Sequence, residues 1–175
     1  MEKIIIYGSK YGTTKAYAQE LSKKTEIPII EYSKVTNLES YDVVIYFGGL
    51  YAGGVLGLKD TLNKHPLSIN QKLIIITVGL SDPNVTENTD NIKKLLSTQI
   101  SKDLYDNCKI FHLRGGVDYS KLSVMHKIMM KALYNKTKKL PIEKQNEETK
   151  ALIETYNKKV NFVDFKTLNQ IINSL

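Results

Sequence analysis

The sequence predicts an α/β fold in which a parallel sheet is covered on both faces by helices. Three observations carry this. Five short apolar runs lack the alternation of a half-exposed strand, helical periodicities separate most of them, and four of the runs end in glycine. In such sheets ligands bind beyond the carboxyl ends of the strands, so the glycines mark the rim where a site is expected.

The elements follow in order. Lys3-Ile4-Ile5-Ile6-Tyr7 is a β-branched run closed by Gly8 and predicts the first strand. From Thr14 to Lys24, Ala18 and Leu21 share one face among polar residues, which predicts a surface helix. Pro28 to Tyr32 reads as a short second strand, Asp42 to Phe47 as a third ending in Gly48-Gly49, and Leu73 to Val78 as a fourth ending in Gly79. Lys109 to Arg114 is the fifth and ends in Gly115-Gly116. Helices are predicted over Leu56 to Lys64, Asn88 to Ile100 and Lys121 to about Lys138. Leu122, Met125, Met129, Ala132 and Leu133 share a face of the last of these, which predicts that it packs on the sheet with Lys127, Lys131 and Lys138 in solvent. A helical extension is expected over about 143–175, with Asp164 as N-cap of a final helix carrying Leu168, Ile171, Ile172 and Leu175.

At 175 residues and 42% hydrophobic, the chain suits one domain with a single buried core. It shows no targeting segment and no membrane span, and its one cysteine, Cys108, excludes an internal disulfide, so a cytoplasmic setting is expected. Cys108 reads as a structural thiol. The net charge of +7 is uneven: residues 1–120 carry 14 basic and 13 acidic side chains, residues 121–175 carry 11 and 5. Lys121 to Lys139 holds six lysines and no carboxylate, so something acidic is expected to dock there, and peripheral contact with the inner face of a membrane is one form it could take.

Ser9-Lys10-Tyr11-Gly12-Thr13-Thr14 joins the first strand to the first helix. Amides at a helix start lack intrahelical partners and the helix dipole favours an anion, so the loop suits a phosphate monoester, with Ser9, Thr13 and Thr14 adding hydroxyls. A triphosphate loop needs four residues between its glycines, whereas Gly8 and Gly12 enclose three; a dinucleotide loop needs G-x-G-x-x-G. A bare helix cap supplied by Thr13 is the alternative. His112 and His126 read as structural, and His65 as a helix end. No His/Cys/carboxylate cluster has metal-ligand spacing, and no nucleophile triad is evident.

Ser9 to Thr14 resembles the first loop of the flavodoxin family, T/S-x-T-G-x-T, matching at Ser9, Gly12 and Thr14, with Tyr11 where the family carries threonine. The resemblance implies a flavodoxin-like three-layer sandwich, a five-stranded parallel sheet in the order 2-1-3-4-5, and FMN as cofactor. Lys10, Tyr11 and Thr13 would complete the phosphate loop. Gly49, Leu50, Tyr51, Ala52, Gly53 and Gly54 resemble the segment flanking the flavin ring, with Tyr51 as its aromatic wall; Gly79, Leu80, Ser81 and Asp82 resemble the loop on the ring's other side. The plainer readings are a core-packed Tyr51 and an ordinary turn begun by Asp82-Pro83.

Arg114-Gly115-Gly116-Val117-Asp118-Tyr119 and the methionine-rich helix after it are similar to the flavodoxin-like, quinone-linked protoporphyrinogen dehydrogenases of bacteria, which are also basic. That similarity implies an FMN oxidoreductase with a quinone or other redox partner and an acidic substrate, for which Arg114 is a candidate contact unless it pairs with a carboxylate. A small electron carrier without its own substrate is the alternative, and a flavin-free interaction domain a third reading. No catalytic acid or base is assigned, and nucleic acid is not an expected partner.

Overall fold

The computed structural model describes residues 1–51, 53–145 and 147–175. Five parallel strands form the sheet: β1 (Lys3–Gly8), β2 (Ile29–Glu31), β3 (Val43–Tyr51), β5 (Lys72–Gly79) and β6 (Lys109–Arg114), laid side by side as β2-β1-β3-β5-β6. Counting only these strands, this is second, first, third, fourth, fifth, as expected. The difference is β4 (Gly54–Val55), a two-residue strand antiparallel to the end of β3 that the sequence reading passed over. Two residues carry too little periodicity to be seen.

Strand residues alternate between two cores. Ile5, Ile45, Phe47, Ile74 and Ile76 face α1 (Thr13–Thr25) and the C-terminal α7 (Leu168–Ile172). Ile4, Ile6, Val44, Tyr46 and Ile75 face α2 (Leu58–Lys64) and α3 (Thr86–Ser97), with α4 (Lys102–Asn107) beside them. Each fully buried Ile, Leu or Phe contributes about 1.5–3 kcal/mol relative to exposure, which makes this two-sided burial the main stabilising term. The helix expected to run to Ile100 stops at Ser97, and α4 starts afresh where the Ser101 side chain accepts from the Leu104 amide.

Between β6 and α7 the chain leaves the sandwich. It forms β7 (Gly116–Asp118), α5 (Val124–Thr137), α6 (Glu147–Thr155) and β8 (Lys159–Asn161), with β7 and β8 paired antiparallel. The expected helical extension is therefore interrupted by a strand; Lys159-Val160-Asn161 shows one half-buried residue between two exposed ones, too weak a pattern to read. Asp164 caps a single 3-10 turn before α7, accepting from the Lys166 amide at 2.9 Å.

The expectation for α5 is overturned. It lies against α6, with Tyr134 stacked on Tyr156 at 3.9 Å, and turns His126 and Thr137 inward. Met125, Met129 and Leu133, the face expected to meet the sheet, are exposed. Tyr17 on α1 ties the segment's two ends together: its hydroxyl donates to the Arg114 carbonyl and accepts from the Asp164 amide, both at 2.9 Å.

Candidate functional site

A cleft opens at the carboxyl ends of β1, β3, β5 and β6. At its floor α1 begins directly after Gly12, which is left-handed at φ +97° and caps the helix with no side-chain hydrogen bond. A residue with a Cβ would strain that turn, and nothing lies within 4 Å of where the Cβ would stand. The Thr13 cap is thus not formed. The first-turn amides of α1 have no side-chain cap, while the Gly12 amide donates to Ser9 Oγ at 3.2 Å. This is the geometry of an anion site at a helix start.

The walls come from the other strand ends. Lys10, Tyr11, Thr13 and Thr14 line one end; Gly49, Leu50, Tyr51 and Leu56 line one side; Val78, Gly79 and Leu80 line the other. Gly115, Gly116 and Val117 close the far end, and Leu122, His126, Met129 and Met130 reach over the top. A Cβ on Gly115 would lie 3.0 Å from Thr13 Oγ1 and 2.8 Å from a Val78 methyl, so glycine keeps this corner open.

His126 is the best-connected group in the cleft. Its Nδ1 bonds the Tyr11 hydroxyl, with Ser123 Oγ at 3.0 Å as a second partner, and its Nε2 bonds the Tyr51 hydroxyl. A neutral imidazole donates from one nitrogen and accepts at the other, so the two tyrosines take opposite roles. Both phenol rings meet the imidazole edge to face. Burial raises the Tyr11 hydroxyl above the ordinary tyrosine range.

Of the residues singled out from the sequence, Lys10, Tyr11, Thr13, Thr14, Gly49, Leu50, Tyr51, Gly79 and Leu80 are brought together in this cleft. Six others are outside its lining. Ser9 supports the loop by accepting from Gly12. Gly12 shapes it. Gly53, at φ +80°, and Gly54 build the hairpin between β3 and β4. Asp82 organises the turn into α3, accepting from the Asn84 amide at 2.9 Å, and Ser81 lies beside it. Ala52 is outside the described residues.

Arg114 is also elsewhere: its Nε donates to the Leu80 carbonyl at 2.9 Å and its guanidinium stacks 3.7 Å over the Phe162 ring. Sequence reading missed Leu56, Val78, Val117, Leu122, His126, Met129 and Met130. Gly115-Gly116, read as one of the strand ends on the rim, do line the cleft. His126 carried no signal, because its partner Tyr11 is 115 residues away.

Fold and cleft together define a nucleotide-binding class, a three-layer α/β sandwich with an anion site at the first helix start and a glycine-bordered slot between strand ends three and four. The flavodoxin domain family matches residues 4–142, and the chain belongs to that family. FMN is accordingly its cofactor, and the residues present fit it: uncapped amides and two threonine hydroxyls for a phosphate, glycine-walled sides for a planar ring.

No curated protein matches the chain. Among solved structures it is similar to a protein from Bacteroides eggerthii described as a flavoprotein (14% identity, 65% of this chain and 87% of that one, TM-score 0.49). It is similar also to a flavoprotein in complex with FMN from Lactobacillus acidophilus (11%, 65% and 91%, TM-score 0.44). A third is an FMN-dependent NADH-azoreductase from Bacillus anthracis (11%, 72% and 92%, TM-score 0.43).

Proposed function

We propose that the protein is an FMN-dependent oxidoreductase of the quinone-linked protoporphyrinogen dehydrogenase type. One observation carries the reading. The segment that resembles those enzymes, Arg114 to Tyr119 and the helix after it, supplies the cleft's far end and its apolar cover, through Gly115 to Val117, Leu122, Met129 and Met130. An electron carrier needs only a ring edge near solvent; a second apolar wall suits an enzyme that holds a flat organic substrate beside the cofactor.

When bound, FMN supplies the redox chemistry. Thr13, Thr14 and the first amides of α1 would hold its phosphate, and Gly49, Tyr51, Gly79 and Leu80 would border its ring. Lys10 brings a cation to the cleft for an acidic group. His126, hydrogen-bonded at both nitrogens, holds the Tyr11 and Tyr51 hydroxyls in place beside the cleft. The Arg114 guanidinium, engaged with Leu80 and Phe162, is assigned no substrate contact.

The test begins with the absorption spectrum of the purified protein after incubation with FMN, then steady-state oxidation of protoporphyrinogen with a quinone acceptor. Bound flavin with turnover is expected. Bound flavin without turnover, alongside fast electron exchange with a protein redox partner, overturns the enzyme reading in favour of a carrier.

A further inference from the structure

α5 presents its apolar side to the outside. Val124, Met125 and Ile128 are 75%, 77% and 64% exposed, and Leu133 is 45% exposed. At 100° per residue these four, with Met129 and Ala132, cover a continuous arc of about half the helix circumference. A helix packed on a soluble domain shows the reverse, apolar inward and charged outward. A stripe of this size on the described surface marks an interaction face.

The flanks indicate what it meets. Residues 121–144 contain seven lysines, and Glu143 is the single carboxylate. Lys127, Lys131 and Lys138 run along one edge of the apolar arc, and Lys136 lies within it. A second copy of the chain would bring the same lysines against themselves, which disfavours self-association. An apolar strip bordered by cations is the chemistry of a helix lying in the plane of an anionic bilayer. None of the described helices is long and apolar enough to cross one.

We propose that this face of α5 docks on an anionic lipid surface, with Val124, Met125, Ile128 and Leu133 at the headgroup boundary and the flanking lysines on lipid phosphates. Met129, which belongs to this arc, and Leu122 just before the helix also line the cleft, so docking brings the cleft mouth to the lipid. The inference rests on the surface alone and does not depend on the redox reading.

The test is flotation of the full-length protein with unilamellar vesicles of phosphatidylcholine alone and of phosphatidylcholine mixed with phosphatidylglycerol. Binding is expected to the mixed vesicles, to be weak on the neutral ones, and to fall in high salt. Met125→Gln with Ile128→Gln lowers the partition coefficient by about tenfold or more. Lys127→Gln with Lys131→Gln lowers it by about 10–30-fold on anionic vesicles and leaves neutral ones unchanged. All four side chains are exposed, so thermal unfolding by circular dichroism is expected to be unchanged. Absence of partitioning, or partitioning indifferent to both pairs, overturns the proposal. So does a loss seen only with the lysine pair, which would mark a charge-only surface. Dimerisation in sedimentation velocity that Met125→Gln with Ile128→Gln abolishes, without vesicle binding, would assign the face to a second copy and equally overturn it.

Discussion

Tyr51→Phe is expected to cost more stability than Tyr11→Phe, although both remove a hydroxyl from the same imidazole. Tyr51 is the hydroxyl partner at His126 Nε2, and the His126 side chain is only 9% exposed. Its loss gives up a neutral hydrogen bond, about 0.5–1.5 kcal/mol, and leaves a shielded nitrogen unpaired, so the sum is about 1–2 kcal/mol. At Nδ1 the loss of Tyr11 leaves Ser123 Oγ in place at 3.0 Å, and Tyr11 itself is 37% exposed, so its cost is about 0.5 kcal/mol. The assay is urea unfolding followed by circular dichroism at fixed pH. A double-mutant cycle of Tyr51→Phe with His126→Asn isolates the pair, with an expected coupling of about 1 kcal/mol. A coupling of zero, or Tyr11→Phe costing as much as Tyr51→Phe, would refute the reasoning that His126 bridges the cleft.

Gly8→Ala would put a Cβ 2.2 Å from the Leu56 carbonyl oxygen, so a loss of about 3 kcal/mol is expected in the same unfolding assay, whereas Gly53→Ala, with nothing within 4 Å and only its φ of +80° against it, costs about 1 kcal/mol. Burial and, secondarily, Lys93 hold His112 down to about 4 from an ordinary 6.5. The unfolded chain therefore takes up the proton first, and stability present above about pH 6.5 is lost as the pH falls toward 4. Discounted for its partial exposure, the loss at pH 5 is about 1 kcal/mol, and His112→Asn should flatten that part of the pH profile of unfolding. Leu168→Ala, at a fully buried side chain packed in the core beside α1, should cost about 2–5 kcal/mol in thermal or urea unfolding, which makes α7 part of the core and not an appendage.

The sandwich was legible because its signals are local. Ile4 to Ile6 and Val43 to Phe47 are apolar on both faces, and that pattern alone says buried parallel strand. The phosphate loop was legible for the same reason, since spacing from Gly8 to Thr14 is a property of seven adjacent residues. What could not be read depends on distant partners. His126 is drawn into the cleft by Tyr11 and Tyr51, 115 and 75 residues away. β8 exists because β7 is there to pair with it. For α5 the periodicity was seen and its sense inverted: a helical pattern defines an apolar face without saying what that face meets.

The position of the segment between β6 and α7 follows from the topology. A parallel strand delivers the chain to the carboxyl edge of the sheet, and the helix that completes the layer, α7, packs against α1 on one face. Anything placed between them must emerge at that edge, which is where the strand-end glycines and the start of α1 already form the cofactor rim. The first part of that segment, through Gly115 to Val117, Leu122, His126, Met129 and Met130, therefore reaches over the cleft. Two demands meet in α5 as a result. Its inner side must complete a pocket with His126 and Met130, and its outer side, having no sheet beneath it, is free to carry an apolar surface that the sandwich core does not need.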